Sequence, residues 1–167
     1  MDTIALILAG GAGTRLMELT RDHAKPALEF AGKYRAIDFP LSNCLHSGFR
    51  RINVLTQYQA HTLHTHLRQK WGFLRRECNE YIETLPPRQQ ISDNRYTGTA
   101  DAVYQNLDLL ALQNPRYVLI LPGDHVYRMN YRPMLQQHIH SRSDLTIACV
   151  DMPAAQAQAF GLIRCDA

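Results

Sequence analysis

The chain has 167 residues, of which 46% are hydrophobic and 20% are charged. This composition is typical of a soluble globular domain and excludes collagen-like, disordered and coiled-coil proteins. The net charge is +3 and the basic residues form no block, so the charge permits an anionic ligand without indicating a nucleic-acid-binding tail.

The first elements follow from apolar runs and their breakers. A continuous apolar run predicts a buried strand at residues 4–8, which ends at the glycines of residues 10–13. A helix is predicted at residues 41–47, where Gly48 ends it, and a second strand at residues 51–56. Apolar residues at helical spacing predict an amphipathic helix at residues 60–70.

Residues 71–96 are predicted to be irregular, because Pro86 and Pro87 forbid regular structure and the segment carries turn residues. Beyond it, the pattern predicts in chain order a helix at 99–113 capped by Thr99, a buried strand at 117–121, a helix at 131–141, a strand at 144–150 and the start of a strand at 160–164. Alternating strands and helices predict an α/β fold with a mainly parallel sheet.

Other features concern the location of the protein. The longest apolar stretches, residues 4–9 and 117–121, are far shorter than the roughly 20 residues of a transmembrane helix. Asp2 stands where a signal peptide would carry basic residues, so we expect neither a signal peptide nor a membrane span. The four cysteines form no C-x-x-C pair, which favours free thiols in a reducing cytoplasm.

In parallel sheets ligands bind beyond the carboxyl ends of the strands, and two polar features follow strands here. The first is the loop that contains Gly10, Gly11, Gly13 and Arg15, whose backbone N–H groups suit phosphate oxygens. It lacks the Lys of a P-loop and the third glycine of a dinucleotide fingerprint, so neither P-loop hydrolysis nor NAD binding is supported. Lys25 would add a second cation for a triphosphate, and Pro26 after it favours an extended backbone at that lysine.

The second feature is Asp124, which follows the predicted strand at residues 117–121 and the flexible Gly123. Mg²⁺ binds through one or two carboxylates together with substrate phosphates, so Asp124 is a candidate metal ligand. His61, His64 and His66 cluster on a predicted helix, where a solvated helix face is favoured over a zinc site.

Five stretches resemble bacterial glucose-1-phosphate adenylyltransferase (ADP-glucose pyrophosphorylase). They are LILAGGAGTRL (6–16), AKPALEF to QAHTL (24–63), YTGTADAVYQNL (96–107), LILPGDHVY (119–127) and AFGLI (159–163). The glycine loop and the Lys-Pro pair are common to sugar nucleotidyltransferases. The segment GKYRAIDFPLSNCLHSG (32–48), with TQYQ and GTADAV, is narrower and points to the ADP-glucose enzymes.

The resemblance implies a Rossmann-like, mainly parallel mixed sheet with helices on both faces. It implies the transfer of an adenylyl group from ATP to α-D-glucose 1-phosphate with Mg²⁺, giving ADP-glucose and diphosphate for glycogen synthesis in the cytoplasm. It also implies a homotetrameric parent with an allosteric effector, and no nucleic-acid partner.

The resemblance further assigns site residues. Catalytic roles fall on Arg15, Lys25 and Asp124, with Asp124 as the metal ligand. Nucleotide contacts fall on Leu8, Ala9, Gly10, Gly11, Gly13, Thr14, Arg15, Gln89 (or Gln90), Gly98, Thr99 and Ala100. Tyr96 and Gly161 are assigned to glucose 1-phosphate, and Gln57 to allosteric communication.

Some features depart from the family. Asp22 and His23 replace a Lys-Arg pair that helps bind an anionic activator, and Arg95 stands where a Trp often occurs, so we expect a different effector. Family members have roughly 400 residues and a C-terminal β-helix, so residues 1–167 are expected to be the N-terminal part of a catalytic domain, without that β-helix. The alternatives are a nucleotidyltransferase using UTP, GTP or dTTP, and a catalytically silent nucleotide-binding or regulatory subunit or an inactive fragment.

Overall fold

The computed structural model describes residues 2–11, 13, 16, 18, 20, 23–87, 95–151, 153 and 163. The chain divides into two compact units, Met1–Tyr131 and Arg132–Ala167, which are described separately. Within the described ranges, no helix is both long and apolar enough to cross a membrane.

The first unit is built on a four-stranded parallel sheet, which confirms the predicted fold class. Its elements in chain order are β1 (Thr3–Ala9), β2 (Glu29–Phe30), β3 (Tyr34–Arg35), α1 (Asp38–His46), β4 (Arg51–Thr56), α2 (Ala60–Trp71), β5 (Tyr81–Leu85), α3 (Thr99–Tyr104), α4 (Leu107–Gln113) and β6 (Tyr117–Pro122). Short 3₁₀ helices lie at Lys25–Ala27 and Arg76–Cys78. The sheet order is β5-β4-β1-β6, and every neighbouring pair is parallel.

Strands β1 and β4 form the centre of the sheet and are buried on both faces. On one face Ile4 and Leu6 pack with Leu110 of α4. Each apolar side chain buried in this way contributes about 1.5–3 kcal/mol relative to an exposed one. The predictions at residues 4–8 and 51–56 are confirmed, because a continuous apolar run is stable only where both faces are covered.

The carboxylate of Asp38, at the start of α1, joins three elements. Its Oδ1 lies 2.6 Å from His66 Nε2 and accepts a 2.7 Å hydrogen bond from Trp71 Nε1, both of α2. Its Oδ2 accepts a 2.8 Å bond from the backbone N–H of Arg35 in β3. Asp38 therefore fastens the short β2–β3 hairpin and α2 to α1.

Two predictions for the first unit are wrong in an informative way. Residues 81–85 were expected to be irregular, but they form β5, which pairs with β4 at the sheet edge. Its sequence, YIETL, carries a polar Glu83 and no strong apolar run, so the neighbouring strand rather than propensity decides its conformation. The predicted helix 99–113 is two helices that break at Gln105 and Asn106. The N-cap of the first helix is Gly98 rather than the predicted Thr99.

Strand β6 differs from its predicted burial. It was expected to be buried on both faces, but burial alternates along it, with Val118 41% and Ile120 49% exposed. The face of β6 that carries these two side chains is thus only partly covered by the residues that the structure describes. The short β2–β3 hairpin, whose turn has Ala31 and Gly32 at positive φ, was not predicted at all.

The second unit contains α5 (Arg132–Ser141), which confirms the predicted helix at 131–141. The strand predicted at 144–150 is not found: these residues carry no regular element, and Leu145 and Val150 are strongly exposed. A strand requires a hydrogen-bonded neighbour, which an apolar sequence cannot supply by itself. The strand start predicted at 160–164 lies outside the described residues, apart from Ile163.

Candidate functional site

A cavity of about 360 Å³ lies beyond the carboxyl ends of β1, β4 and β6. It is lined by Leu8, Gly10, Gly11, Lys25, Pro26, Leu55, Gln57, Tyr58, Tyr96, Thr97, Gly98, Thr99, Ala102, Pro122 and Asp124. Parallel strands direct the segments that follow them to one edge of the sheet, so residues distant in sequence meet there.

The glycine loop begins directly after β1 and lies close to one wall of this cavity. A Cβ added to Gly10 would approach Gln57 Cβ to 3.3 Å and Tyr96 Cδ2 to 3.6 Å, so a larger residue would push against that wall. Gly13 has φ +64°, and a Cβ there would lie 2.7 Å from Thr20 Cγ2. Thr20 Oγ1 donates a 3.0 Å hydrogen bond to Gly13 O, which explains the close approach.

Lys25 and Asp124 form the charged part of the cavity. Lys25 Nζ lies 2.6 Å from Asp124 Oδ2, and the two side chains are 36% and 28% exposed. Lys25 is the first residue of the Lys25–Ala27 3₁₀ helix, so the extended backbone predicted from Pro26 is wrong. His125 Nε2 lies 3.7 Å from the other carboxylate oxygen of Asp124.

Gly123, which precedes Asp124 at the end of β6, lies close to the backbone of β1. Its N–H donates a 2.9 Å hydrogen bond to Leu8 O. A Cβ at this position would lie 2.8 Å from the same oxygen and 3.1 and 3.2 Å from Ile7 Cγ2 and Ile37 Cδ1. The prediction of a flexible glycine is therefore wrong, since Gly123 is needed for space against β1.

The segment after Asp124 is fastened to α1 by Asn43. Its Nδ2 donates to Tyr127 O at 3.1 Å, and its Oδ1 accepts from Met129 N at 3.2 Å. Tyr127 Oη and Tyr131 Oη are hydrogen-bonded to each other, and burial raises the pKa of both phenols. Burial also raises the pKa of the neighbouring Cys44 thiol to about 12, so this contact region is neutral at physiological pH.

Tyr96 lines the cavity close to Gly10 of the glycine loop. Its backbone N–H donates a 2.8 Å hydrogen bond to Gln57 Oε1, and its side chain packs with Leu55 and Ala102. Gln57, which the resemblance assigned to allosteric communication, lines the cavity itself. Tyr58, beside it, was not among the predicted site residues, although its position directly after β4 could have indicated it.

The structure brings most of the described candidates together. Those lining the cavity are Leu8, Gly10, Gly11, Lys25, Gln57, Tyr96, Gly98, Thr99 and Asp124. Ala9, Gly13 and Ala100 are described but do not line it. Thr14, Arg15, Gln89, Gln90 and Gly161 lie outside the described residues. The contribution of Arg15 to the charge of the loop therefore stays a prediction.

The histidines of α2 have separate partners. His66 bonds to Asp38, whereas His64 Nε2 lies 3.3 Å from Thr56 Oγ1 at the end of β4. Burial, together with the charge of His61, lowers the pKa of His64 below the usual histidine value. His64 is therefore neutral at physiological pH.

The cavity combines a glycine loop, a lysine and a carboxylate at the carboxyl edge of a parallel sheet. This combination is typical of α/β proteins that bind phosphate groups. Comparison with known protein families identifies the family within this class. The chain belongs to the nucleotidyl transferase family, whose model matches residues 4–167.

Among its relatives, the glucose-1-phosphate adenylyltransferase of Methylobacillus flagellatus is 56% identical over 165 residues, 99% of this chain and 39% of that protein. The enzyme of the same name from Nitrosococcus oceani is equally similar, with 56% identity and the same coverage. This chain thus spans about two-fifths of the length of these relatives.

A solved structure supports the fold independently. The crystal structure described as a glucose-1-phosphate thymidylyltransferase from Bacillus anthracis matches with a TM-score of 0.63 over 83% of this chain and 50% of that chain. At 20% identity this similarity concerns the fold alone.

Proposed function

We propose that this chain is the ATP-binding part of a glucose-1-phosphate adenylyltransferase, forming the N-terminal part of its catalytic domain. The observation that carries the proposal is the Lys25–Asp124 pair beside Gly10 and Gly11 at the carboxyl edge of the sheet. Relatives of that name are 54–56% identical over nearly the whole chain, and this similarity supports ATP and glucose 1-phosphate as the two substrates.

In the proposed reaction an oxygen of the sugar phosphate forms a bond to the α-phosphorus of ATP. The bond from that phosphorus to the oxygen bridging to the β-phosphorus breaks, and diphosphate leaves with the electron pair. Phosphoryl-type transfers depend mostly on positioning and charge neutralisation. The N–H groups of the glycine loop would orient the phosphates, and Lys25 would neutralise part of their charge.

Asp124 fits the metal requirement of this chemistry. Mg²⁺ prefers oxygen ligands and is commonly held by one or two carboxylates plus substrate phosphates. Asp124 is partly exposed in the cavity, and within the described part of the chain its carboxylate lies next to a lysine and a neighbouring histidine. When bound, Mg²⁺ would supply positive charge beside the phosphates.

The similarity carries further parts of the proposal. They are a cytoplasmic location, a product used for glycogen synthesis, and a homotetrameric parent with an allosteric effector. Tyr96 and Gly161 are proposed for glucose 1-phosphate, and Gly98 to Ala100 for the base. Arg15 is proposed to stabilise the departing diphosphate.

The test is a nucleotide-binding experiment on the purified chain. Isothermal titration calorimetry with ATP, UTP, GTP and dTTP, each with Mg²⁺, should show tightest binding for ATP. Preference for UTP, GTP or dTTP would overturn the adenylyl assignment, and the absence of binding for all four would overturn the nucleotide site. Release of diphosphate from ATP and glucose 1-phosphate is measured in parallel, and we expect little turnover from these 167 residues alone.

A further inference from the structure

The side chain of Asn106 occupies a buried position between α3 and α4. It is only 5% exposed, and its Nδ2 donates two hydrogen bonds, to Ala102 O at 2.8 Å and to Tyr96 Oη at 3.2 Å. An amide nitrogen has two N–H groups, so both donors of this side chain are used. One bond is local to the helix junction, and the other reaches the wall of the cavity.

The local bond explains why the predicted long helix is interrupted. The backbone N–H of Asn106 donates to Val103 O at 3.0 Å, and its φ and ψ of −111° and 11° are not helical. The carbonyl of Ala102 would then lack its usual partner four residues on, but the Asn106 side chain supplies one. Asparagine commonly competes with the backbone in this manner.

The second bond fixes the outer end of Tyr96. The Tyr96 hydroxyl also donates to Leu85 O at 3.3 Å, at the end of β5. The backbone of the same tyrosine is held by Gln57, at the end of β4. Tyr96 is thus held by the ends of two strands and by the α3–α4 junction, with its ring facing Gly10 across a short distance.

We propose that Asn106 is a positioning residue for nucleotide binding, which acts through the Tyr96 hydroxyl and holds the Tyr96 ring close to Gly10 of the glycine loop. The ring would thereby shape the nucleotide site, in addition to the glucose 1-phosphate contact proposed for Tyr96. This inference rests on the proposed function, since it concerns the same cavity. It extends the site to a residue that does not line the cavity and that received no role in the sequence analysis, although it lies within the stretch at residues 96–107. The competing explanation is that Asn106 serves only the helix junction through Ala102 O.

A double-mutant cycle on the full chain separates the two explanations. Asn106→Leu removes both hydrogen bonds of the amide. Tyr96→Phe removes the hydroxyl and with it the bonds to Asn106 and to Leu85 O, and the third variant combines the two changes. We expect each single variant to weaken Mg-ATP binding about tenfold in calorimetry, as for the loss of one buried hydrogen bond. We expect the loss in the double variant to be smaller than the product of the two single losses, because the Asn106–Tyr96 hydrogen bond is common to both changes.

Multiplying losses in the double variant, or unchanged binding in Asn106→Leu, would overturn the proposal. Asn106→Ser provides a second variant, since a short hydroxyl side chain retains a donor near Ala102 O but is too short to reach Tyr96. It should fold like the native chain, by the fluorescence of Trp71, and bind Mg-ATP about tenfold more weakly. If Asn106→Ser bound Mg-ATP with native affinity, Asn106 would serve only the α3–α4 junction and the proposal would be wrong. Tyr104→Phe, at an exposed tyrosine, is the matched control and should bind like the native chain.

A readout without nucleotide distinguishes failure of this inference from failure of the proposed function. In the nucleotide-free chain with ¹³C-labelled tyrosine, Asn106→Ser should shift the ring resonances of Tyr96 while leaving those of Tyr104 in place. Unshifted Tyr96 resonances would overturn the positioning role even if ATP binds. A shift in a chain that binds none of the four nucleotides would support the positioning of Tyr96 and overturn only the proposed function.

Discussion

Lys25 Nζ and Asp124 Oδ2 lie 2.6 Å apart although the two residues are 99 positions apart in the chain. Both side chains are about one-third exposed, and ion pairs at such positions contribute little to stability, about 0–1 kcal/mol. The pair therefore has little structural value but places a cation and a carboxylate side by side in the cavity. In the proposed function, the lysine would exchange its partner for a phosphate and the carboxylate would exchange its partner for a divalent cation.

Asp124→Asn should remove the Mg²⁺ dependence of ATP binding. In the native chain we expect Mg²⁺ to strengthen ATP binding at least about tenfold, because a carboxylate attracts the metal far more than a neutral amide does. Calorimetric titrations with ATP, with and without Mg²⁺, measure this difference. Asp144→Asn, at an exposed aspartate, is the control and should keep the native Mg²⁺ effect. A full Mg²⁺ effect in Asp124→Asn would show that the metal binds elsewhere.

Gly123→Ala should destabilise the chain and weaken ATP binding together. Its Cβ would lie 2.8 Å from Leu8 O, a backbone atom of the central strand that cannot move aside cheaply. Overpacking of this kind costs about 1–3 kcal/mol. Urea unfolding followed by Trp71 fluorescence measures the stability. Gly98→Ala is the stability control, because its backbone is extended and no described atom lies within 4 Å of the added Cβ. Equal stability of the two variants would contradict the packing explanation.

Asp38→Asn should lower the free energy of unfolding by about 2–4 kcal/mol. The carboxylate is largely buried and meets His66, Trp71 and the backbone of Arg35, and an amide cannot accept from all three. Trp71 is the only tryptophan, so its fluorescence reports on this contact directly during urea unfolding. Asp2→Asn breaks an exposed ion pair with Arg51 and should cost under about 1 kcal/mol. A loss of unfolding free energy in Asp38→Asn no larger than that in Asp2→Asn would contradict the stabilising role of the Asp38 contacts.

Cys44 should make the chain less stable as pH rises above 9. Burial raises the pKa of its thiol from 9.0 to about 12, so the unfolded chain loses this proton first. Between those values the unfolded state binds fewer protons, and stability falls by up to about 1.4 kcal/mol per pH unit. Unfolding is measured between pH 9 and 10, where unfolded tyrosines also begin to lose protons, so the contribution of the thiol is the difference in slope between the native chain and Cys44→Ala. Cys44→Ala should reduce this slope, whereas Cys78→Ala, at an exposed thiol, should not. Identical slopes in all three chains would contradict the assignment.

His64 should cause a loss of stability on acidification. Burial and the charge of His61 lower its pKa below 6.5, so below pH 6.5 the unfolded chain takes up a proton before the folded chain does. The unfolded state then binds more protons, so the free energy of unfolding decreases as the pH is lowered. Urea unfolding at pH 7, 6 and 5 measures the trend. His64→Gln should flatten it, while His140→Gln, at an exposed histidine of α5, should leave it unchanged. A native acid slope in His64→Gln would exclude this source.

The central strands and the candidate residues could be predicted from local patterns. Runs such as residues 4–8 and 51–56 are apolar at every position, which is compatible with a strand covered on both faces. Residues 81–85 and 144–150 show the opposite limit. The first contains Glu83 yet is a strand beside β4, and the second is apolar yet forms no strand, because a strand requires a hydrogen-bonded neighbour that sequence does not reveal.

The amino-acid sequence by itself determined the kinds of groups at the site: a glycine loop, a lysine before a proline and an aspartate after a strand. Only the tertiary structure decided that Lys25 meets Asp124, that Gly123 has no room for a side chain, and that Asn106 holds Tyr96. The physical reason is that propensity and hydrophobic periodicity act over a few residues. A contact across 99 residues depends on the order of strands in the sheet, and that order is set by the packing of the whole unit.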